Sequence, residues 1–447
     1  MNNKNQEISH HSQNMLERRQ RLMGKAYRLF YKEPVHIVSG EGVWLYDSDG
    51  KKYLDVYNNV PHVGHCHPRV VEAICKQAHI LNTHTRYLHD LVLEYAEKLT
   101  NRFPDSLDIA MFACTGTEAN ELALRLARAK TGASGMIVTE HAYHGTSWAI
   151  AQITTCYETS EKRGDNIVTV PAPCSYRGLY ANDAQAADKY AAHLHTAIET
   201  LARNGHRPAA FIVDTIFSNE GLPTVPDAYL AKAVEIVRQA GGLFVADEVQ
   251  PGFGRIGSHF WGFDSHGVVP DIATMGKPMG NGYPISAVVT SLDVIESFQR
   301  ESHYFNTFAG TPVACAAALA VLEVIEQQDL QARALETGQY LLEGLKELAT
   351  NQAMIGDIRG SGLFIGIDLV RDRESHEPAV AETQKAVNLL RQRGVLIGST
   401  GQHDNILKIR PPMVFSKENA DLLLQKLKIA LNDAGDTDNR VPGHHSP

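Results

Sequence analysis

The sequence predicts an α/β protein in which helices cover a mostly parallel sheet and a smaller α+β domain lies alongside. Three observations lead there. From Pro68 onward, helical stretches alternate with short apolar runs, the pattern of strands joined through covering helices. After Pro312 the alternation gives way to one long helical segment, Val313 to Gln327, followed by helix, strand and helix through Leu431. A chain of 447 residues with 43% apolar content also exceeds one usual core and suffices for two.

Taken in order, residues 1 to about 24 are polar and read as partly helical from Met15. Val43 to Val56 reads as two short strands around the Asp49-Gly50 turn, an antiparallel hairpin. Helices are expected at Val70 to Leu81, Leu91 to Phe103 and Glu118 to Ala129. Strands are expected at Met136 to Val138, Ala210 to Val213, Leu243 to Ala246 and Ile285 to Val289. The expected division is residues 1–64 as an amino-terminal segment joining the small domain, 65–320 as the large domain, 321–432 as the small domain and 433–447 as a tail. Neither terminus is expected to carry chemistry, and no internal repeat or low-complexity block stands out.

The formal net charge of −9, with Lys and Arg scattered, gives no footprint for nucleic acid or an anionic membrane. Six cysteines without a CxxC pair read as reduced thiols. The first residues lack an apolar signal core, so cytoplasmic residence is the default expectation.

Chemistry concentrates at Lys277. It follows the mostly apolar run Ile272 to Met275, is hemmed by Gly276 and Pro278, and comes 30 positions after Asp247, which ends an earlier apolar run. A lysine held at a strand end can be desolvated, which disfavours the ammonium and leaves an amine able to form an imine with an aldehyde. Pyridoxal phosphate needs such a lysine and a carboxylate facing its ring nitrogen. Taken alone, Lys277 reads as a plain loop lysine; the pairing with Asp247 and with the segments below favours the cofactor. Cys114 to Asn120 lies between a strand and a helix, where exposed amides would cradle a phosphate, with Gly116 allowing close approach and Thr117 adding a hydroxyl; a plain capped turn is the alternative. Tyr143, after the strand at Met136 to Val138, is placed either to stack on a flat ring or to pack in the core.

Two motifs point elsewhere. Gly252 to Gly257 fits GxGxxG, but Pro251 precedes it and Ser258-His259-Phe260 is a poor helix start, so it is not read as a dinucleotide site. His62, His65, Cys66 and His67 crowd together, yet adjacent residues of an extended run face opposite sides; a structural turn is favoured over zinc, and no metal is expected.

With these residues in order, the chain resembles the class III aminotransferases, pyridoxal-phosphate enzymes of fold type I, from roughly residue 25 to 432. The resemblance implies that Lys277 holds the cofactor aldehyde, Asp247 pairs with its ring nitrogen and Gln250 lies near its ring hydroxyl. It also implies that Gly116 and Thr117 hold the phosphate, that Tyr143 stacks on the ring, and that Thr307, in Asn306-Thr307-Phe308-Ala309-Gly310, reaches the cofactor phosphate of a neighbouring subunit, making a homodimer. Within the class, Asn58 to Pro68, Asn82 to His89, Tyr176-Arg177-Gly178, Met275 to Gly280 and Ile358 to Leu369 resemble the ethanolamine-phosphate and phosphohydroxylysine phospholyases. An ammonia-lyase acting on 1-hydroxy-2-aminoethylphosphonate is similar too.

Departures sharpen the expectation. Many class III aminotransferases carry an arginine that grips a substrate carboxylate at two points and a glutamate that pairs with it. Here Lys408 stands at the matching arginine position and Asp214 at that of the glutamate; if residues 406–410 are extended, Lys408 and Arg410 share a face. The expected reaction is β-elimination from a small phosphorylated or phosphonate amine, giving an aldehyde and ammonia. Arg86, Arg177, Lys408 and Arg410 stand as candidate anchors for the phosphoryl group or as solvent-facing salt bridges. The alternative is an ω-amino-acid or alanine-glyoxylate type aminotransferase that consumes a keto acid. A non-catalytic cofactor-binding protein is disfavoured by the presence of Lys277, Asp247 and Thr307.

Overall fold

The computed structural model describes residues 10–435. The expected tail beyond 435 and the residues before 10 lie outside the described residues. Seven strands form the central sheet in the order Ile109–Ala113, Ser286–Thr290, Ile272–Met275, Leu243–Asp247, Pro208–Asp214, Gly135–Thr139, Ile167–Val170. Ser286–Thr290 runs antiparallel to both neighbours, and the remaining pairs are parallel. The exception has a geometric cause: only residues 276–285, the Lys277 turn, separate it from Ile272–Met275, too few for the crossover that a parallel neighbour requires. Strands such as Pro208–Asp214 are buried along their whole length, as expected with helices on both faces.

Helix ends follow local chemistry. Pro68 opens the helix Pro68–Ile80, where its missing N–H is of no consequence. The helix Gly116–Thr131 is started by a capping box: the Thr115 hydroxyl accepts from the Glu118 amide, and Glu118 accepts from the Thr115 and Cys114 amides. Gly132, at φ 60°, stops it. The helix Pro312–Gln327, an almost continuous alanine and valine run, is buried nearly all round and extends unbroken through position 320.

Trp44–Asp47 and Lys52–Asp55 form the hairpin expected from the Asp-Gly turn, with Asp47 Oδ1 accepting from the amides of Asp49 and Lys51. A third strand, Ile37–Glu41, extends it on one side. On the other side Lys52–Asp55 pairs in parallel with Val395–Leu396, tying the amino-terminal segment to the carboxy-terminal region. There a second, antiparallel sheet orders Ile355–Ser361, Phe364–Asp372, Ile406–Ile409 and Gly398–Thr400. Among the described residues, no helix is long and apolar enough to cross a membrane.

Candidate active site

The parallel strands all deliver their carboxyl ends to one edge of the sheet, where ligands of open α/β sheets bind. A cavity of about 360 Å³ opens there, lined among others by Gly116, Thr117, Tyr143, Asp247, Gln250 and Lys277. Six of the residues singled out in the sequence, drawn from four separate segments, thus meet in one place.

Asp247 is 4% exposed and held on three sides. Its Oδ2 accepts from His144 Nδ1 at 2.6 Å and from Asn120 Nδ2 at 2.9 Å; its Oδ1 accepts from the Val249 amide at 3.1 Å. Asn120 is itself fixed, donating to the His144 carbonyl at 2.7 Å and accepting from Thr274 Oγ1 at 2.6 Å. His144 and Asn120 were in the segments flagged by sequence, yet neither was assigned a role. A helix-interior asparagine and an imidazole beside an aromatic carry no one-dimensional signal of a shared carboxylate.

Lys277 lies half-buried between the two glycine-rich backbones. Burial, then the charge of Arg410, push its pKa down to about 8, against the opposing pull of Asp247 and Asp214. Its Nζ makes no ion pair among the described residues. Gly116 and Gly276 pack so closely that a Cβ on Gly276 would lie 3.4 Å from the Gly116 backbone. The helix start at Gly116 is therefore brought against the lysine turn. Gly145, at φ +137°, approaches from the other side, and the Thr146 amide donates to Thr117 Oγ1 at 3.3 Å. Tyr143 lines the cavity with its ring edge-to-face with Tyr157, 6.0 Å between centroids.

A second cavity of about 480 Å³ shares Tyr143, Gln250 and Lys277 and adds Tyr57, Tyr157, Asn219 and Arg410. Arg410 donates from Nη1 to Gln250 Oε1 at 2.8 Å, and its guanidinium lies 4.5 Å from the centre of the Tyr57 ring. Its Nε is shielded from solvent and has no partner among the described residues. From Gln250 a chain of donors continues through Ser218 Oγ to Asp214.

The other candidate anchors are placed differently. Lys408, in the strand Ile406–Ile409, is 4% exposed and lines neither of these cavities; its Nζ meets Asn219 Oδ1 at 3.4 Å, and burial, then Arg410, lower its pKa well below that of a free lysine. Arg177 is engaged by Asp368 and by the His376 carbonyl, away from both cavities. Arg86 lies over the Phe305 ring at 3.9 Å, also outside them. Thr307 is exposed, one residue after Asn306, whose Oδ1 meets Cys114 Sγ at 3.7 Å.

The crowded imidazoles separate. His62 is fully buried against the Phe253 carbonyl at 2.8 Å and Arg255, and burial, then the arginine charge, hold its pKa down to about 3. His65 turns instead to Asp55 at 2.7 Å. Gly252 to Gly257 forms consecutive turns with no helix behind them, unlike a dinucleotide fingerprint.

Comparison with known proteins agrees with this geometry. The Aminotransferase class-III family profile matches residues 30–431. A phospholyase from Arthrobacter, solved in complex with phosphoethanolamine, is 45% identical and superposes with a TM-score of 0.91, covering 94% of this chain and 99% of its own. An alanine–glyoxylate aminotransferase 2-like protein of Drosophila melanogaster is 42% identical over 417 residues, 91% of this chain and 84% of the relative. Ethanolamine-phosphate phospho-lyase homolog 1 of Caenorhabditis elegans is 39% identical over 428 residues, 91% of this chain and 90% of the relative.

Proposed function

The chain belongs to the class III aminotransferase family and takes pyridoxal phosphate, and from that premise we propose that it is a lyase eliminating phosphate or hydroxide from a small phosphorylated or phosphonate amine, with release of ammonia and an aldehyde. The residues fit the cofactor: an amine whose pKa burial lowers to about 8, a buried carboxylate, and a glycine opening a helix start where a phosphate is favoured. Once bound, pyridoxal phosphate supplies an electron sink for the carbon next to the substrate nitrogen.

In this reading the Lys277 Nζ, free to act as a base once substrate is bound, would take the proton from the carbon bearing nitrogen. Asp247 would serve the ring nitrogen, Gly116 and Thr117 would hold the cofactor phosphate, Tyr143 would pack on the ring and Gln250 would lie near the ring hydroxyl. The bond from the adjacent carbon to oxygen then breaks, and phosphate or hydroxide leaves with the electron pair. The Lys277 Nζ would return to its resting place as the product leaves, and water would hydrolyse the released enamine to aldehyde and ammonia. Arg410, with spare donors in the cavity that Lys277 shares, is the anchor for the phosphoryl or phosphonyl group. Thr307 serves the partner subunit's cofactor in a homodimer.

The observation that carries the lyase reading is the 45% identity, over nearly the whole chain, to a phospholyase holding phosphoethanolamine. The 42% identity to an alanine–glyoxylate aminotransferase 2-like protein supports a second reading, transamination with a keto-acid acceptor. One assay separates them. The cofactor-loaded protein is given O-phosphoethanolamine, phosphohydroxylysine or 1-hydroxy-2-aminoethylphosphonate without a keto acid, and ammonia is followed. Sustained release from one of them is expected. No release, with alanine or glutamate formed once pyruvate or 2-oxoglutarate and an amine donor are supplied, would establish the second reading instead.

A further inference from the structure

Two polar atoms beneath the cofactor site are shielded from solvent and have no partner among the described residues: His144 Nε2 and Glu220 Oε2. His144 lies just beyond the strand Gly135–Thr139, and Glu220 lies beyond its sheet neighbour Pro208–Asp214. The Thr139 hydroxyl donates to Glu220 Oε1 at 2.6 Å and so fixes the carboxyl group, leaving Oε2 free. On the other ring nitrogen, His144 Nδ1 is already committed to Asp247 at 2.6 Å. Glu220 and His144 are close enough for the imidazole charge to act on the carboxyl. Leaving both atoms unsatisfied would cost each its hydration without return.

We propose that Glu220 is a positioning residue that acts through His144: across one bridging water it shares a proton with the imidazole Nε2, and thereby holds Asp247 as the carboxylate facing the cofactor ring. The proton balance is closed within the pair. With the proton on Glu220, its O–H donates to the water, which donates to Nε2 of a neutral His144, whose Nδ1–H goes to Asp247. With the proton on Nε2, an imidazolium lies between two carboxylates. Asp247 receives the Nδ1–H bond in both forms. Burial, then the Asp214 charge, raise the Glu220 carboxyl to about 7, so it can hold a proton near neutral pH. The other ionisable groups facing Glu220 are Lys408, which favours its anion, and the Cys156 thiol and Tyr229 phenol, whose pKa values burial raises. The arrangement applies to elimination and transamination alike and does not depend on the leaving group.

The test is ¹⁵N NMR of the imidazole nitrogens in cofactor-loaded and cofactor-free protein across about pH 6–8, with His144 identified by the resonance lost in His144→Gln. In the native protein Nε2 is expected to carry or share a proton throughout. In the isosteric Glu220→Gln the amide donates instead, so Nε2 becomes a plain acceptor throughout that range. The pH profile of the bound cofactor's absorbance is expected to shift by roughly one unit, the tenfold effect of losing one charged hydrogen bond. An Nε2 that reads as a free lone pair in the native protein overturns the proposal without any variant. Unchanged His144 resonances and an unchanged absorbance profile in Glu220→Gln, even with lowered stability, would overturn it as well and leave Glu220 a partner of Thr139 alone.

Discussion

His144 Nδ1 lies 2.6 Å from Asp247 Oδ2, with the imidazole fully buried and the carboxylate side chain 5% exposed. A carboxylate this enclosed keeps its charge through the donors around it, which are His144, Asn120 and the Val249 amide. Asp247→Asn keeps the shape and removes the charge, and an amide also turns a donor toward either His144 or Asn120. Turnover is expected to fall on the order of 10²–10³-fold, the loss seen when one electrostatic stabiliser is removed from a preorganised site, while cofactor is retained. Steady-state kcat alongside cofactor occupancy by absorbance checks it; undiminished turnover would mean that Asp247 does not serve the ring nitrogen.

Lys277 yields a prediction about the cofactor-free protein. Its folded pKa, about 8, lies below the ordinary 10.5. Between those values the unfolded chain binds more protons than the folded one, so stability rises with pH in that window, and the cost of the buried amine is fully present below pH 8. Lys277→Met should therefore stabilise the cofactor-free protein at neutral pH by up to about 3 kcal/mol, with the advantage fading above pH 10. Urea unfolding at pH 7 and pH 10 measures it. Cofactor capture by the native protein should quicken as pH rises through about 8, because only the neutral amine attacks the aldehyde.

The meeting of Asp247 and Lys277 in one cavity was legible in the sequence because strand ends and glycines mark it: Asp247 closes an apolar run, and Gly276 and Pro278 bracket Lys277. The basic residues were not legible in the same way. Lys408 and Arg410 read as neighbours on one face, but Arg410 lies past the strand end at Ile409 and reaches the cavity, whereas Lys408 is enclosed beside Asn219. Arg177 looked available because its partner, Asp368, lies 191 residues away and belongs to the other sheet. A charge's freedom is a property of three-dimensional neighbours, which no local pattern reports. The same holds for the strand Ile37–Glu41, whose Ser-Gly-Glu sequence lacks a strand signature and is set by pairing with Trp44–Asp47.

Those positions give opposite expectations for two arginines. Arg410→Ala should raise KM for a phosphorylated substrate roughly 10- to 150-fold, the range of one or two charge-assisted hydrogen bonds. Arg177→Met should leave KM alone and destabilise the fold by up to about 3 kcal/mol, because Asp368 is fully buried and keeps only Arg359 and Asn405. Kinetics and thermal unfolding on both variants separate the roles, and a KM effect confined to Arg177→Met would reverse the assignment.

Gly145 tests whether the helix start holds the cofactor phosphate. At φ +137° its backbone is one that side chains avoid, and a Cβ there would lie 2.4 Å from Thr117 Oγ1 and 2.9 Å from Thr117 Cα. Thr154 pins the glycine on both sides, accepting from its amide at 3.2 Å and donating to its carbonyl at 2.8 Å, so the turn cannot swing away. In Gly145→Ala the movement falls on Thr117 and the first turn of the helix Gly116–Thr131. Cofactor affinity should drop at least about tenfold, with backbone strain costing about 1–3 kcal/mol of stability. Gly241→Ala is the control, since Gly241 also has a positive φ, +82°, but nothing within 4 Å of its Cβ position. It should show the strain without the loss of binding. Titration of pyridoxal phosphate into each cofactor-free variant measures the difference, and equal affinities would remove Thr117 from the phosphate site.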